Sequence, residues 1–195
     1  VTAGHIYYQE TDITELKPDQ LAKFRKENLG FVFQEYNLLD TLTIGENIVL
    51  AMTLQNKSKK EIQKGSEEMM RLLGIWEIRN QFPYQVSGGQ KQRCACARAL
   101  INHPKLLLAD EPTGALDSKA AETLLETFQS LNASKRATIF MVTHDAFSAS
   151  YCSRILFLKD GRIFHELIRG QKGRREFLNA ILDVLSATGG VKDAR

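Results

Sequence analysis

The chain has 195 residues, 43% hydrophobic and 25% charged, and its 26 basic and 23 acidic side chains leave a net charge of +3. Those proportions are typical of a globular domain and exclude disordered, collagen-like and coiled-coil classes, and so small a charge gives no argument for nucleic acid or anionic lipid as a partner. Three scattered cysteines argue against a disulfide framework and favour a reducing compartment, and no apolar run approaches the roughly 18 residues that a membrane span needs.

The first part of the chain predicts two short strands that flank one helix. Residues 5–9 form an apolar-aromatic run that indicates a strand. Pro18 suits a first helical turn, and the helix is expected to end near Asn28. Residues 31–33 predict a second brief strand, which ends in a polar turn at Gln34.

The middle of the chain predicts helices. Thr43 and Ser58 are each followed three residues later by a glutamate, which matches the capping box of a helix start. Gly74 is a plausible residue to end the second of these helices. The apolar side of that helix, which we expect to be buried, is formed by Ile62, Met69, Leu72 and Leu73.

From residue 104 onwards the pattern becomes strand–helix–strand. Residues 106–109 and 138–142 are apolar runs typical of strands buried on both faces, and residues 121–131 repeat apolar side chains at helical spacing. Residues 159–162 predict a hairpin turn, and residues 177–185 a final amphipathic helix. Strands that alternate with helices predict an α/β fold with a mainly parallel sheet and right-handed crossovers.

The most specific local pattern is Ser87-Gly88-Gly89-Gln90, which opens a helix rich in small residues. Two glycines let an anion approach the backbone, and the free amides of a helix start carry partial positive charge. The pattern therefore predicts an anion-binding site, although an ordinary helix cap after a loop would also explain it.

Two adjacent carboxylates, Asp110 and Glu111, follow the first buried strand. The carboxyl ends of parallel strands are where α/β sheets bind ligands. Asp110 could hold Mg²⁺ there, and Glu111 could act as a general base on water. A pair of solvated loop acids is the simpler interpretation if this strand is considered alone.

Polar residues also end the neighbouring strands. His144 follows the strand over residues 138–142, at a separation from Asp110 that suits one strand–helix–strand unit. Gln34 ends the strand over residues 31–33, and its neutral amide can bind a hydrated metal ion or accept a hydrogen bond from water. These positions favour a functional role for His144.

In this order the motifs resemble those of the ATP-binding subunits of ATP-binding cassette (ABC) transporters. Gln34 matches the Q-loop of that family, residues 87–90 its signature, and residues 106–111 its Walker B strand with the catalytic glutamate. Residues 114–117 resemble the D-loop, and His144 the switch histidine. The resemblance covers essentially the whole chain and implies a P-loop NTPase-like core with an α-helical subdomain.

The resemblance also implies a division of the chain and a role for each motif. The expected parts are a core segment with the Q-loop (1–45), a helical subdomain with the signature (46–103), a second core segment (104–170), and a C-terminal helix and tail (171–195). The implied catalytic residues are Glu111, His144 and Gln34. The implied ATP-binding residues are Ser87, Gly88, Gly89, Gln90 and Asp117, and the implied Mg²⁺ ligands are Asp110 and Gln34.

The partners implied by the family are a second ATP-binding subunit and a membrane protein. Two copies of the chain would enclose two ATP molecules, with each signature facing the nucleotide held by the other copy and Asp117 linking the two sites. An FtsX-like transmembrane permease would hold the dimer at the cytoplasmic face of the bacterial plasma membrane. Nucleic acid is not expected as a partner.

Looser patterns indicate a subgroup. Residues 111–117 and 141–163 resemble the macrolide-export, lipoprotein-release and peptide-antibiotic group, and residues 166–185 are similar to the bacitracin-efflux type. The resemblance therefore implies ATP hydrolysis coupled to export of, or resistance to, a peptide antibiotic. A macrolide or lipoprotein-release transporter is an alternative. A cassette ATPase acting on DNA or ribosomes would need coiled-coil insertions or a second cassette, and the sequence contains neither.

The phosphate loop of the family, Gly-x-x-x-x-Gly-Lys-Ser/Thr, does not occur in the sequence. In the family this loop precedes a segment that resembles residues 1–13, which predicts that the chain is N-terminally truncated just after it. The alternatives are a piece of a normal ATPase and a naturally degenerate, non-hydrolysing subunit. In either case we expect the chain by itself to be a poor and marginally stable ATPase.

Overall fold

A computed structural model describes residues 3–135 and 137–187. The strands are β1 (Tyr7–Tyr8), β2 (Thr11–Asp12), β3 (Leu29–Val32), β4 (Leu106–Asp110), β5 (Thr138–Val142), β6 (Arg154–Lys159) and β7 (Arg162–Ile168). The α-helices are α1 (Pro18–Asn28), α2 (Ile44–Thr53), α3 (Lys59–Leu72), α4 (Gly88–Leu100), α5 (Ser118–Lys135), α6 (Ala146–Ala149) and α7 (Arg174–Ala187). None of these helices is both long enough and apolar enough to cross a membrane. The last eight residues of the predicted tail lie outside the described part.

The central sheet has three parallel strands in the order β3-β4-β5. Gly30 is level with Leu107, and Leu107 is level with Ile139. The other four strands form two antiparallel hairpins, β1-β2 and β6-β7. The predicted α/β fold with a parallel sheet is confirmed, and the antiparallel hairpin predicted around residues 159–162 is present.

Side chains that bind free backbone groups start the helices of the middle segment. The Thr43 hydroxyl accepts a hydrogen bond from the Glu46 amide (3.2 Å), and the Glu46 carboxylate accepts one from the Thr43 amide (2.8 Å). Ser58 and Glu61 make the same reciprocal pair at the start of α3. Both capping boxes predicted from the sequence are therefore confirmed, and each fixes the first residue of its helix.

The main core lies where α4 packs against the sheet and against α2. Four consecutive small residues of α4, Cys94 to Ala97, are completely buried. At Gly30 of β3 an added Cβ atom would lie 2.6 Å from the Ala99 carbonyl oxygen, so only glycine permits this approach of helix to strand. Burial raises the pKa of the Cys94 thiol to about 12 and also raises that of Cys96, so both are protonated packing groups.

A smaller core lies between the β6-β7 hairpin and α7, where Phe157, Phe177 and Ile181 are buried. Arg174 at the start of α7 lies over the Tyr151 ring (4.6 Å to its centroid) and hydrogen-bonds its hydroxyl. These contacts join α7 to the segment that follows α6.

One predicted strand is too long, and two predictions about burial are wrong. The strand predicted over residues 5–9 is present only as β1 (Tyr7–Tyr8), because the chain turns at Gln9, whose φ is 53°, into the antiparallel β2. β5 is not buried on both faces: it is an outer strand of the sheet, and Phe140 (56% exposed) and Val142 (53%) face away from the core. Leu72, at the last turn of α3, is 54% exposed, whereas Leu73 is buried.

Candidate active site

The ends of the three parallel strands bring together residues that are far apart in the sequence. Val32 of β3 is level with Ala109 of β4, and Asp110 is level with Val142 of β5. Parallel strands end at the same edge of their sheet. Gln34, the Asp110–Glu111 pair and His144 therefore leave the sheet at one edge, as the sequence predicts.

At this edge Glu111 and His144 contact each other directly. Glu111 Oε1 accepts a hydrogen bond from the His144 amide and lies 2.8 Å from His144 Nδ1. The Glu111 side chain is only 14% exposed, whereas the His144 ring is 88% exposed. Glu111 has a left-handed backbone (φ 45°), and its amide donates to the Val142 carbonyl oxygen (2.9 Å). The carboxylate is thus fixed at the sheet, and the imidazole projects from it toward solvent.

Further polar residues, which the sequence analysis did not single out, hold this pair. The Thr143 hydroxyl donates to Glu111 Oε2 (3.1 Å), and the Asp145 carboxylate caps α6 by accepting from the amides of Phe147 and Ser148. Burial opposes ionisation of Asp145, but hydrogen bonds from the Ser148 hydroxyl and from the same two amides outweigh it and lower the pKa of Asp145 below its ordinary value. An Asp three residues before Ser148 is an N-cap pattern that could have been found in the sequence.

A cleft of about 320 Å³ opens beside these residues. Its lining includes Glu111, His144, Phe147, Gly114 and Leu116. The cleft is open to solvent at the carboxyl edge of the sheet, so the Glu111–His144 pair is accessible to a substrate and to water.

α4 begins where the sequence predicts a helix start, directly after Ser87. Ser87 is the N-cap: its hydroxyl accepts from the Gln90 amide (3.3 Å), and Gln90 Oε1 accepts from the Ser87 amide (2.8 Å). The side chains of Ser87 and Gln90 are thereby occupied in the cap. Gly88 and Gly89 are the first two helical residues, whose amides have no carbonyl partner within the helix.

This helix start lies beside the loop that follows Glu111. An added Cβ atom at Gly88 would lie 3.9 Å from Ala115 Cβ, and one at Gly89 would lie 3.3 Å from the Ala115 carbonyl oxygen. Asp117, the last residue of the loop, accepts a hydrogen bond from the Ala120 amide (2.9 Å) and so caps α5. Within the described residues no hydrogen bond joins Ser87, Gly88, Gly89 or Gln90 to Glu111 or His144.

Comparison with known proteins identifies the family. Residues 1–114 match the ABC transporter family. The chain belongs to this family. It is 48% identical over 190 residues to the bacitracin export ATP-binding protein BceA of Halalkalibacterium halodurans, covering 97% of this chain and 75% of that protein. It is also 50% identical over 188 residues to the ABC transporter ATP-binding protein YxdL of Bacillus subtilis, covering 96% of this chain and 73% of that protein.

A solved ABC cassette shares the fold. The structure of the ATP-binding cassette MJ0796 of Methanocaldococcus jannaschii, a dimer in a post-hydrolysis state bound to ADP and Pi, superposes with a TM-score of 0.81. The two sequences are 38% identical, and the match covers 86% of this chain and 74% of that one. Together these matches confirm the predicted family, fold and class of enzyme: the chain is the ATP-binding subunit of an ABC transporter, an ATPase. Such subunits work as dimers with transmembrane partners.

In this ABC subunit, side chains of two helices hold the loop that contains Gln34. Arg98 of the signature helix α4 donates to the Tyr36 carbonyl oxygen (3.0 Å) and to the Asn37 carbonyl oxygen (2.6 Å). The Asn47 amide nitrogen donates to three more carbonyl oxygens, and Asn47 Oδ1 accepts from the Leu39 amide. Asn47 is fully buried. Neither Arg98 nor Asn47 was predicted from the sequence.

The chemistry of Asp110 and Gln34 fits a magnesium ion. Both side chains are exposed and offer oxygen atoms, which Mg²⁺ prefers as ligands. Across residues 3–135 and 137–187 the Asp110 carboxylate makes no hydrogen bond and no ion pair with another side chain, so it is available to a ligand. The adjacent Glu111 carboxylate is occupied by the Thr143–His144 segment.

Proposed function

We propose that the chain is the ATPase subunit of an exporter that removes peptide antibiotics of the bacitracin class from the bacterial cell membrane. Its likeness to the bacitracin export protein of Halalkalibacterium halodurans, over nearly the whole chain, is the observation that carries this proposal. The partner is an FtsX-like permease, and the site of action is the cytoplasmic face of the plasma membrane. The chain divides functionally into segments 1–45, 46–103, 104–170 and 171–195.

Glu111 is the proposed general base. In this role its carboxylate accepts a proton from a water molecule as the water oxygen bonds to the γ-phosphorus of ATP, and ADP leaves with the electrons of the broken P–O bond. The half-buried position of Glu111 at the end of β4, where its side chain lines the cleft, supports the assignment. His144, whose ring is exposed beside it, is proposed to bind the γ-phosphate.

Asp110 and Gln34 are the residues proposed to hold Mg²⁺ when nucleotide is bound. The ion would neutralise charge on the phosphate oxygens. The amides of Gly88 and Gly89, with Ser87 and Gln90, are proposed to bind the γ-phosphate held by the other subunit, because a helix start attracts anions. The position of Ser87 and Gln90 apart from Glu111 supports a site shared between two copies, and Asp117 is proposed to lie at their contact.

The base assignment is tested by Glu111→Gln in the full-length protein assembled with its permease. We expect ATP turnover to fall by about 10²–10⁴-fold, because glutamine cannot accept the proton, while ATP binding and the ATP-bound dimer persist. Glu126→Gln, an exposed acid on α5, is the matched control and should leave turnover unchanged. Wild-type turnover in Glu111→Gln would contradict the assignment.

The exported class is tested in cells. Deletion of the gene that encodes the chain should raise susceptibility to bacitracin, and complementation with wild type but not with Glu111→Gln should restore resistance. Susceptibility to a macrolide is the comparison, because a macrolide exporter is the alternative within the same group. A deletion that changes macrolide susceptibility alone would replace the proposed substrate class and leave the ATPase assignment intact.

A further inference from the structure

The hydroxyl of Thr143 joins Glu111 to the residue that follows His144. It lies 3.1 Å from Glu111 Oε2 and 3.1 Å from the Asp145 amide nitrogen. An amide can only donate, and an ionised carboxylate can only accept. Thr143 therefore donates its one hydroxyl hydrogen to Glu111 and accepts from Asp145, so both hydrogen bonds have a defined direction.

The Asp145 end of this connection is fixed by buried groups. Ser148, which is fully buried, donates its hydroxyl hydrogen to Asp145 Oδ2 (2.6 Å) and lies 2.9 Å from the Thr113 hydroxyl. Because Ser148 has a single hydroxyl hydrogen, Thr113 is the donor in the second contact. Thr113 is two residues after Glu111. The hydrogen bonds thus form a network that runs from Glu111 through Thr143, Asp145 and Ser148 to Thr113. Both ends of this network lie on the loop after β4.

Within this network Thr143 supplies the hydrogen bond that orients Oε2 of the Glu111 carboxylate. Glu111 Oε1 is contacted by the amide and ring of His144, and that ring is largely in solvent. Among the described residues, Oε2 has one hydrogen-bond donor, the half-buried Thr143 hydroxyl. If that hydroxyl is removed, only the His144 contacts at Oε1 remain among the described residues, so the orientation of the carboxylate is less restricted while the backbone stays in place.

We propose that Thr143 is a positioning residue that sets the rate of ATP hydrolysis without contacting the nucleotide. Its hydroxyl binds Oε2 while His144 binds Oε1, so the two residues together fix the orientation of the carboxylate beside the cleft. The inference rests on the proposed role of Glu111 as general base. A misplacement of the base slows proton transfer but leaves the residues that bind ATP untouched.

The experiment compares Thr143→Val, which keeps the shape and removes the hydroxyl, with Thr143→Ser, which keeps the hydroxyl. Both are made in the full-length protein assembled with its permease, and steady-state ATPase kinetics are measured. We expect kcat of Thr143→Val to fall roughly 10- to 100-fold, with KM for ATP and the ATP dissociation constant within about two-fold of wild type. Thr143→Ser should recover most of kcat.

Thr123→Val is the matched control, because Thr123 is exposed and its hydroxyl donates only to the Lys119 carbonyl oxygen of its own helix. It should leave kcat unchanged. If Thr143→Val does not fold, as judged by nucleotide binding and urea unfolding, Thr143→Ala provides the same kinetic comparison with serine.

Several results would overturn the inference. They are wild-type kcat in a folded Thr143→Val protein, an increase in KM with kcat unchanged, or a loss of kcat that serine does not restore. The ATPase activity of Glu111→Gln, measured in the same assay, separates the role of Glu111 from that of Thr143. If that variant keeps turnover, the proposed function of Glu111 fails; if it is inactive while Thr143→Val is normal, only the role of Thr143 fails.

Discussion

The loop after β3 and the loop after β5 leave the same edge of the sheet, yet different groups hold them. The first, which contains Gln34, is bound through its backbone carbonyl oxygens by Arg98 and Asn47, side chains of two helices. The second is bound through its own side chains, Thr143 and Asp145, to Glu111 and to α6. The first arrangement fixes the path of the chain, and the second fixes the atoms of a carboxylate.

This difference teaches where a substitution should affect stability and where it should affect chemistry. When a buried side chain that binds several backbone groups is removed, several hydrogen bonds are lost at once in a place that water does not reach, so the free energy of unfolding falls. A hydroxyl that serves one solvent-accessible carboxylate leaves a group that water can still reach. We therefore expect large stability effects at Asn47 and small ones around Thr143 and Asp145.

The largest expected effect on stability is that of Asn47→Ala. The substitution removes four hydrogen bonds at a fully buried position, and we expect the free energy of unfolding to fall by about 3 kcal/mol. Urea unfolding followed by circular dichroism measures it. Asn80→Ala, at an exposed asparagine, is the control and should change little. Equal effects of the two substitutions would remove the distinction between the loops.

A smaller effect is expected where the first loop meets the signature helix. An added Cβ atom at Gly88 would lie 3.1 Å from the Tyr36 hydroxyl oxygen, so this crowding should cost Gly88→Ala about 1 kcal/mol relative to an uncrowded Gly→Ala substitution at a helix start. Tyr36→Phe removes that oxygen. In a double-mutant cycle by urea unfolding, Gly88→Ala should therefore be less destabilising in the Tyr36→Phe protein. The same loss in both backgrounds would show that the hydroxyl is not the source of the crowding.

The smallest effect concerns pH and Asp145. Because its folded-state pKa lies below the ordinary value of 3.8, the Asp145 hydrogen bonds stabilise the fold above that pH, and this contribution is lost as pH falls through the folded-state pKa. Urea unfolding of wild type and Asp145→Asn from about pH 6 down to about pH 2, a range that crosses the ordinary value and continues below it, tests it. The stability difference between the two proteins should shrink toward the acid end. A constant difference would contradict the assigned ionisation.

Local chemistry made much of the fold predictable. The capping boxes at Thr43 and Ser58 and the N-cap at Ser87 depend on residues three apart, and the structure contains all three. Burial at the sheet was harder to predict, because an apolar run such as residues 138–142 reads the same whether one face or both are covered. Phe140 and Val142 are exposed because they lie on the face of β5 opposite Ile139 and Met141, which pack against the main core, and tertiary packing decides which face is covered.

The residues at the strand ends of the candidate site could be predicted from the sequence, whereas the contacts between its loops could not. The strand ends at Gln34, Asp110 and His144 could be identified because polar residues follow apolar runs. The direct contact of Glu111 with His144, and the buried Ser148 between Thr113 and Asp145, depend on how the loops fold back. Thr113 and Ser148 are far apart in sequence, and threonine and serine are common residues, so no sequence pattern connects the two positions.

The long connection between the adjacent strands β3 and β4 has a consequence for how the chain folds. β3 and β4 are adjacent strands, yet the whole of residues 33–105 lies between them, and so do the helices α2, α3 and α4. Every contact between these two strands is therefore remote along the chain, and contacts of that kind slow the search for the native state. The helices can form early from local contacts, whereas β3 must wait until they have packed together and brought β4 beside it. We therefore expect the site at the strand ends to assemble late, and a substitution that weakens helix packing far from the site to delay it.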